Sequence, residues 1–136
     1  MPTDAQRAVD LLDLVPHGRI ATSRHALPLL ATARHVVVNG RVLLRLHRGY
    51  GYHQACAGSV VAYGAEGPRE APETPETPER WSVQVVGVCE TVEPSSSELA
   101  LFGPAPRHAD GAPFEPVYLR LTPSFATVHI TDDHTG

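Results

Sequence analysis

Between two apolar runs, at residues 27–38 and 41–46, stands the dipeptide Asn39-Gly40. A two-residue type I′ turn needs positive φ at both central positions, and Asn followed by Gly reaches it at the least steric cost. Residues 27–46 therefore read as an antiparallel β-hairpin, and every fold open to this chain has to contain it.

Other segments repeat the β texture. Arg19 to Ser23 is a short strand, Ser59 to Glu66 another, and residues 82–86 alternate apolar and polar side chains. Gly87 interrupts that last run where a bulge would let a strand curl. The final strand, over 117–130, puts Tyr118, Arg120 and Thr122 on one face and Leu119 and Leu121 on the other. From Asp132 the chain is expected to fray.

Helical signals are few. Thr3 and Gln6 fit a capping box, and Ala5, Ala8, Val9 and Leu12 recur at helical spacing, predicting a helix over 4–14 that Pro16 and Gly18 end. Residues 50–57 lack alternation and stop at Gly58, which suggests a short helix with a glycine cap. Ser95 and Glu98 form a second capping box, opening a helix through Leu101 and Phe102 that Gly103 and Pro104 close before a Pro-rich loop to Pro116. Residues 67–80 repeat Pro-Glu-Thr without a large apolar side chain, so they read as a long flexible loop inserted between two strands.

About six strands with two or three short helices describe a mainly β, antiparallel barrel, and 136 residues suffice for one such domain. A net charge of -4, with 11 basic residues scattered among 15 acidic ones, argues against nucleic acid or an anionic membrane as partner. No apolar run is long enough to span a bilayer, and Asp4, Arg7 and Asp10 stand where a signal peptide would be apolar, so a cytoplasmic protein is expected. Cys56 and Cys89 are read as reduced, buried thiols, because two cysteines make no disulfide framework. The eight histidines have no metal-ligand spacing, and neither a GxSxG elbow nor a GxGxxG fingerprint is present.

The order helix, Gly18-Arg19-Ile20-Ala21-Thr22, Leu27-Pro28-Leu29-Leu30, the hairpin bearing Arg45, a short helix, then Val83-Gln84-Val85-Val86-Gly87-Val88-Cys89-Glu90 resembles the pyridoxamine 5′-phosphate oxidase-like superfamily over residues 8–130. The resemblance implies a six-stranded split β-barrel that forms a homodimer, with FMN, or in some branches F420 or haem, in clefts at the dimer interface. It implies flavin-dependent redox chemistry in which the cofactor carries the hydride and no side chain need act as acid or base. Family members hold the phosphate with basic residues on the second strand and after the third. Here the second-strand positions fall near Ala26 and Ala31, and the segment after the third strand reads His47-Arg48-Gly49-Tyr50-Gly51-Tyr52-His53-Gln54 with no lysine.

The resemblance therefore assigns phosphate binding to Arg45, His47, Arg48 and His53, with Gln54 beside them, and ring contacts to Leu46, Tyr52 and Trp81. Arg19, Tyr118 and Arg120 are further candidates for lining the cleft, while Trp81 and Tyr63 also suit a core. The alternative is a split barrel that has lost FMN and binds another small molecule or acts without a cofactor.

Overall fold

The computed structural model describes residues 3–68 and 79–132. Helix α1 (Asp4–Leu12) starts at Thr3, whose side-chain oxygen accepts from the Gln6 N–H at 3.1 Å. It ends two residues short of the predicted boundary, because Asp13 caps it and the chain turns through Leu14 and Val15. There follow β1 (His17–Arg24), β2 (Leu27–Val38), β3 (Arg41–His47), a 3₁₀ turn at Arg48–Tyr50, α2 (Tyr52–Cys56), β4 (Val60–Pro68), β5 (Glu79–Thr91), α3 (Ser96–Phe102), the two-residue strands β6 (His108–Ala109) and β7 (Ala112–Pro113), and β8 (Pro116–Asp132).

Six strands close into an antiparallel barrel in the order β1-β2-β3-β8-β5-β4, with β4 pairing back onto β1. The mainly β barrel expected from the pattern is thus the observed fold. Asn39 and Gly40 have φ of 52° and 75°, the type I′ turn that the dipeptide announces. At Gly87 the β5–β8 register shifts, and a Cβ there would lie 1.9 Å from the Thr122 carbonyl oxygen. Only glycine lets the two backbones approach that closely.

Three local expectations are corrected. Gly67, Pro68, Glu79 and Arg80 belong to strands, because β4 and β5 pair through Gly67↔Trp81 and Pro68↔Arg80, so the predicted 67–80 loop is too long at both ends. Its remaining part, 69–78, lies outside the described residues, as do the predicted frayed residues after Asp132. The helix expected at 50–57 is split, with Gly51 at φ 77° separating a 3₁₀ turn from α2. The Pro-rich loop contains a small hairpin turning on Asp110-Gly111, at φ 51° and 81°.

Inside the barrel, alternate residues of the strands meet: Ile20, Val42, Leu44, Val61, Tyr63, Trp81, Val83, Val85, Leu119 and Leu121 are all buried. Ala8, Val9 and Leu12 of α1 complete this core at one end. Cys56 and Cys89 are free and fully buried, and burial pushes their thiols up to about 11 and about 12, so both are protonated at neutral pH. On the outside, α3 seats Phe102 against Val36 and Leu43, with Tyr118 beside them.

Candidate functional site

The outward residues of five consecutive strands fall into one register. Leu30 faces Ala21, Ala21 faces Ala62, Ala62 faces Val86 and Val86 faces Phe125, so an apolar row crosses β2, β1, β4, β5 and β8. Leu30 is 65% exposed and Phe125 57%, with Val60 and Val88 open beside them. A contiguous apolar face of this kind on a small domain marks a surface that something covers.

Beside the row lies a groove of about 440 Å³, floored by Gly64 and lined by His17, Arg19, Thr32, Glu66, Ser82 and Gln84. The outward positions of β1 and β4 build it, since Arg19 pairs with Gly64, which in turn faces Gln84 of β5. The missing side chain at Gly64 lowers the floor between flanking strands. A second hollow of about 560 Å³ shares Ala21, Leu30 and Ala62 with the first, so the two form one trough. Its apolar base and polar walls are the combination that small-molecule sites use.

Apart from Arg19, the residues singled out from the sequence fall elsewhere. Arg45 is 7% exposed and spends its guanidinium on the end of α3, donating to the Gly103 carbonyl at 3.2 Å and the Pro104 carbonyl at 3.5 Å, above the Phe102 ring. His47 is buried; its Nδ1 accepts from the Glu115 N–H at 3.0 Å, and its ring stacks on Phe114 and meets Tyr50 edge-on. Leu46 and Trp81 are core side chains, and the Trp81 indole N–H has no partner among the described residues. Arg48 and Gln54 are exposed, Tyr52 is half-buried, and its ring lies 5.9 Å from that of Tyr50.

His53 stands apart from these. It is 9% exposed and its Nδ1 is buried with no hydrogen-bond partner among the described residues. Burial lowers its affinity for a proton, and the Arg48 cation adds to that. A buried ring nitrogen left without a partner is costly unless something meets it. Two of the four phosphate candidates, Arg45 and His47, are therefore already engaged within the chain, which leaves Arg48 exposed on this rim and His53 buried beneath it with an unpartnered Nδ1 among the described residues.

A family model described as pyridoxamine 5′-phosphate oxidase matches residues 4–130. The chain belongs to that family. Among solved structures, the FAD-binding protein of Mycobacterium smegmatis is 27% identical, with 95% of this chain and 98% of that one aligned at a TM-score of 0.67. The FAD- and haem-binding protein of the same organism shares the fold at 16% identity and a TM-score of 0.64, covering 98% of this chain and 76% of the other. The uncharacterized protein Rv0080 of Mycobacterium tuberculosis is 36% identical over 96 residues, which span 65% of this chain and 59% of that relative.

The family implies a flavin, and two observations of the chain fit one. The trough offers a long apolar base of suitable size, and the exposed Arg48 cation stands near the His53 ring, whose buried Nδ1 has no partner among the described residues. The chain does not line one cavity with both. The trough lies over β2, β1, β4 and β5, while the rim follows the end of β3. Of the groove's polar walls the sequence singled out Arg19 alone; the alternation in β1 and β5 puts Arg19, Ser82 and Gln84 outward, but not toward one another. Tyr118 and Arg120 lie on the opposite side, with Tyr118 against Phe102 and Arg120 on Glu90 at 2.7 Å.

No three His, Cys, Asp or Glu among the described residues cluster to hold a metal, and no helix among them is long and apolar enough to cross a membrane.

Proposed function

We propose that this chain is a flavin-binding oxidoreductase that works as a homodimer, with FMN lying in the trough of one copy and its phosphate met by the Arg48 and His53 rim of the other. The observation that carries the reading is the apolar row from Leu30 to Phe125, exposed next to a groove of ligand size. A second copy seated on that row would exclude water from the trough and supply the cationic rim that one chain holds away from it. A bound flavin supplies the two-electron chemistry. The chain's part is to orient the ring over the Gly64 floor, with Gln84, Ser82 and Thr32 as hydrogen-bonding groups and Arg19 as a local cation.

The FAD-binding relative from Mycobacterium smegmatis, aligned over nearly its whole length, supports a flavin and makes FAD the competitor to FMN. A second reading, a barrel that binds another small molecule or none, is favoured by the internal engagement of Arg45 and His47, which leaves Arg48 as the exposed arginine of the rim. Titrating the apoprotein with FMN and with FAD, read by quenching of flavin fluorescence, separates them. Saturable quenching that weakens in Arg48→Gln and His53→Ala supports the first reading. Absence of quenching by either flavin overturns it and leaves the second.

A further inference from the structure

Arg34 and Arg45 are direct cross-strand partners on the outer face of β2 and β3. Like charges so placed repel one another. Neither forms an ion pair with a carboxylate among the described residues. Instead both guanidiniums flank the Phe102 ring, at 5.8 Å and 5.3 Å from its centre, and donate to carbonyls. Arg34 reaches Pro16 and Leu101, each at 3.3 Å, as well as the His35 carbonyl; Arg45 reaches Gly103 and Pro104. The carbonyl end of α3 offers only a fraction of a negative charge, about half of one at most, against two whole cations. Among the described residues, several N–H groups of the two forks remain without a partner.

Arg34 also lines a hollow of about 440 Å³ between the end of α1, β2 and α3. Its other walls mix polar and apolar groups: Leu14 (68% exposed) and Leu101 (56% exposed) stand at an open rim with Val15 and Val37 beside them, and Asp13 and His35 are also on the lining. His35 in the same wall turns its ring nitrogens to Leu12 and Tyr63, so it is not free to meet a ligand. Asp13 is the one carboxylate on the lining.

We propose that this hollow is a second ligand site, separate from the trough, which takes a small organic carboxylate: the anionic head on Arg34, the hydrocarbon body along Leu14, Val15, Val37 and Leu101. An anion there offsets the charge of Arg34 and so its repulsion with Arg45, and its tail covers leucines that the chain leaves in water. The inference does not depend on flavin binding.

Calorimetric titration of the full chain with octanoate tests it, with octanol and inorganic phosphate as controls for tail and charge alone. Saturable one-to-one binding of octanoate, with neither control competing, is expected. Because Arg34→Gln can disturb α3, two substitutions at exposed rim positions carry the test. Leu101→Glu should weaken octanoate about tenfold or more, and Asp13→Asn should tighten it. No saturable binding, or affinities unchanged in both rim variants, overturns the proposal. Loss of octanoate binding in Arg19→Gln with full binding in Leu101→Glu would place the ligand in the trough and equally overturn it.

Discussion

Only 1% of His35 is exposed, yet both its ring nitrogens are engaged. Nε2 donates to the Leu12 carbonyl at 2.7 Å, so the neutral ring keeps its lone pair on Nδ1, where the Tyr63 hydroxyl donates. That hydroxyl also lies 3.3 Å from the Ala33 carbonyl. One histidine thus ties the end of α1 to the wall of the barrel. Burial lowers its pKa from 6.5, with the Arg34 cation adding to the effect. The unfolded chain then binds the proton more readily than the folded one, so the contribution of His35 is complete above about 6.5 and declines as pH falls below it. His53 shifts in the same direction and adds to the loss. Urea unfolding followed from pH 8 to pH 5 should show stability falling across the lower half of that range; a flat profile would contradict the buried neutral rings. Tyr63→Phe leaves Nδ1 without its donor and should cost about 1–3 kcal/mol in the same assay at pH 8. Arg45 and His47 teach the converse lesson at this scale. Their residue types suggested a phosphate site, but a guanidinium caps carbonyls as well as it binds anions, and nothing near Arg45 in the chain announces that α3, some 58 residues on, ends above it.

Turns show where elements are legible. Asn39-Gly40 carries its conformation in its composition, and so does the bulge at Gly87. The β1–β2 turn does not. His25 and Ala26 form its two central residues, at φ 52° and 64°, the type I′ geometry without its usual residues. A left-handed L-residue costs roughly 1–2 kcal/mol, so this turn is held by the strands it joins. Ala26→Gly should therefore stabilise the chain, by about 1 kcal/mol in urea unfolding, since relief of strain outweighs the added freedom of the unfolded chain. Destabilisation would mean that the Ala26 methyl group has a packing role. Gly87→Ala should do the opposite, costing about 3 kcal/mol or more, because its Cβ meets the backbone of Thr122 and no side chain can swing aside. The capping box at Ser95, with the Glu98 carboxylate accepting the Ser95 N–H at 2.8 Å, is present as its spacing required.

For the whole molecule, the apolar row across five strands is the feature that a single copy leaves unfinished. Phe125→Glu puts a charge at the β8 end of that row, on a side chain that is 57% exposed and outside the core, so it should leave the fold unchanged by circular dichroism. In the dimer reading it shifts sedimentation to that of a monomer and abolishes flavin uptake together with it. A wild-type chain that sediments as a monomer at micromolar concentration would remove the row as the site's second wall.

Much of this architecture is written locally. Alternation with a period of two, glycines where the backbone must turn or bulge, and serine or threonine ahead of a helix act over a few residues, so the sequence alone established strands, one hairpin, two capped helices and a β-barrel. Where those elements meet is a different matter. The closure of β4 onto β1, the seat of α3 over Arg34 and Arg45, the engagement of His47 by Glu115 and the gathering of Arg19, Gly64 and Gln84 round one groove all join residues distant in the chain. Such pairings are selected by the total burial of the closed barrel rather than by any neighbouring residue, and only the tertiary structure decided them.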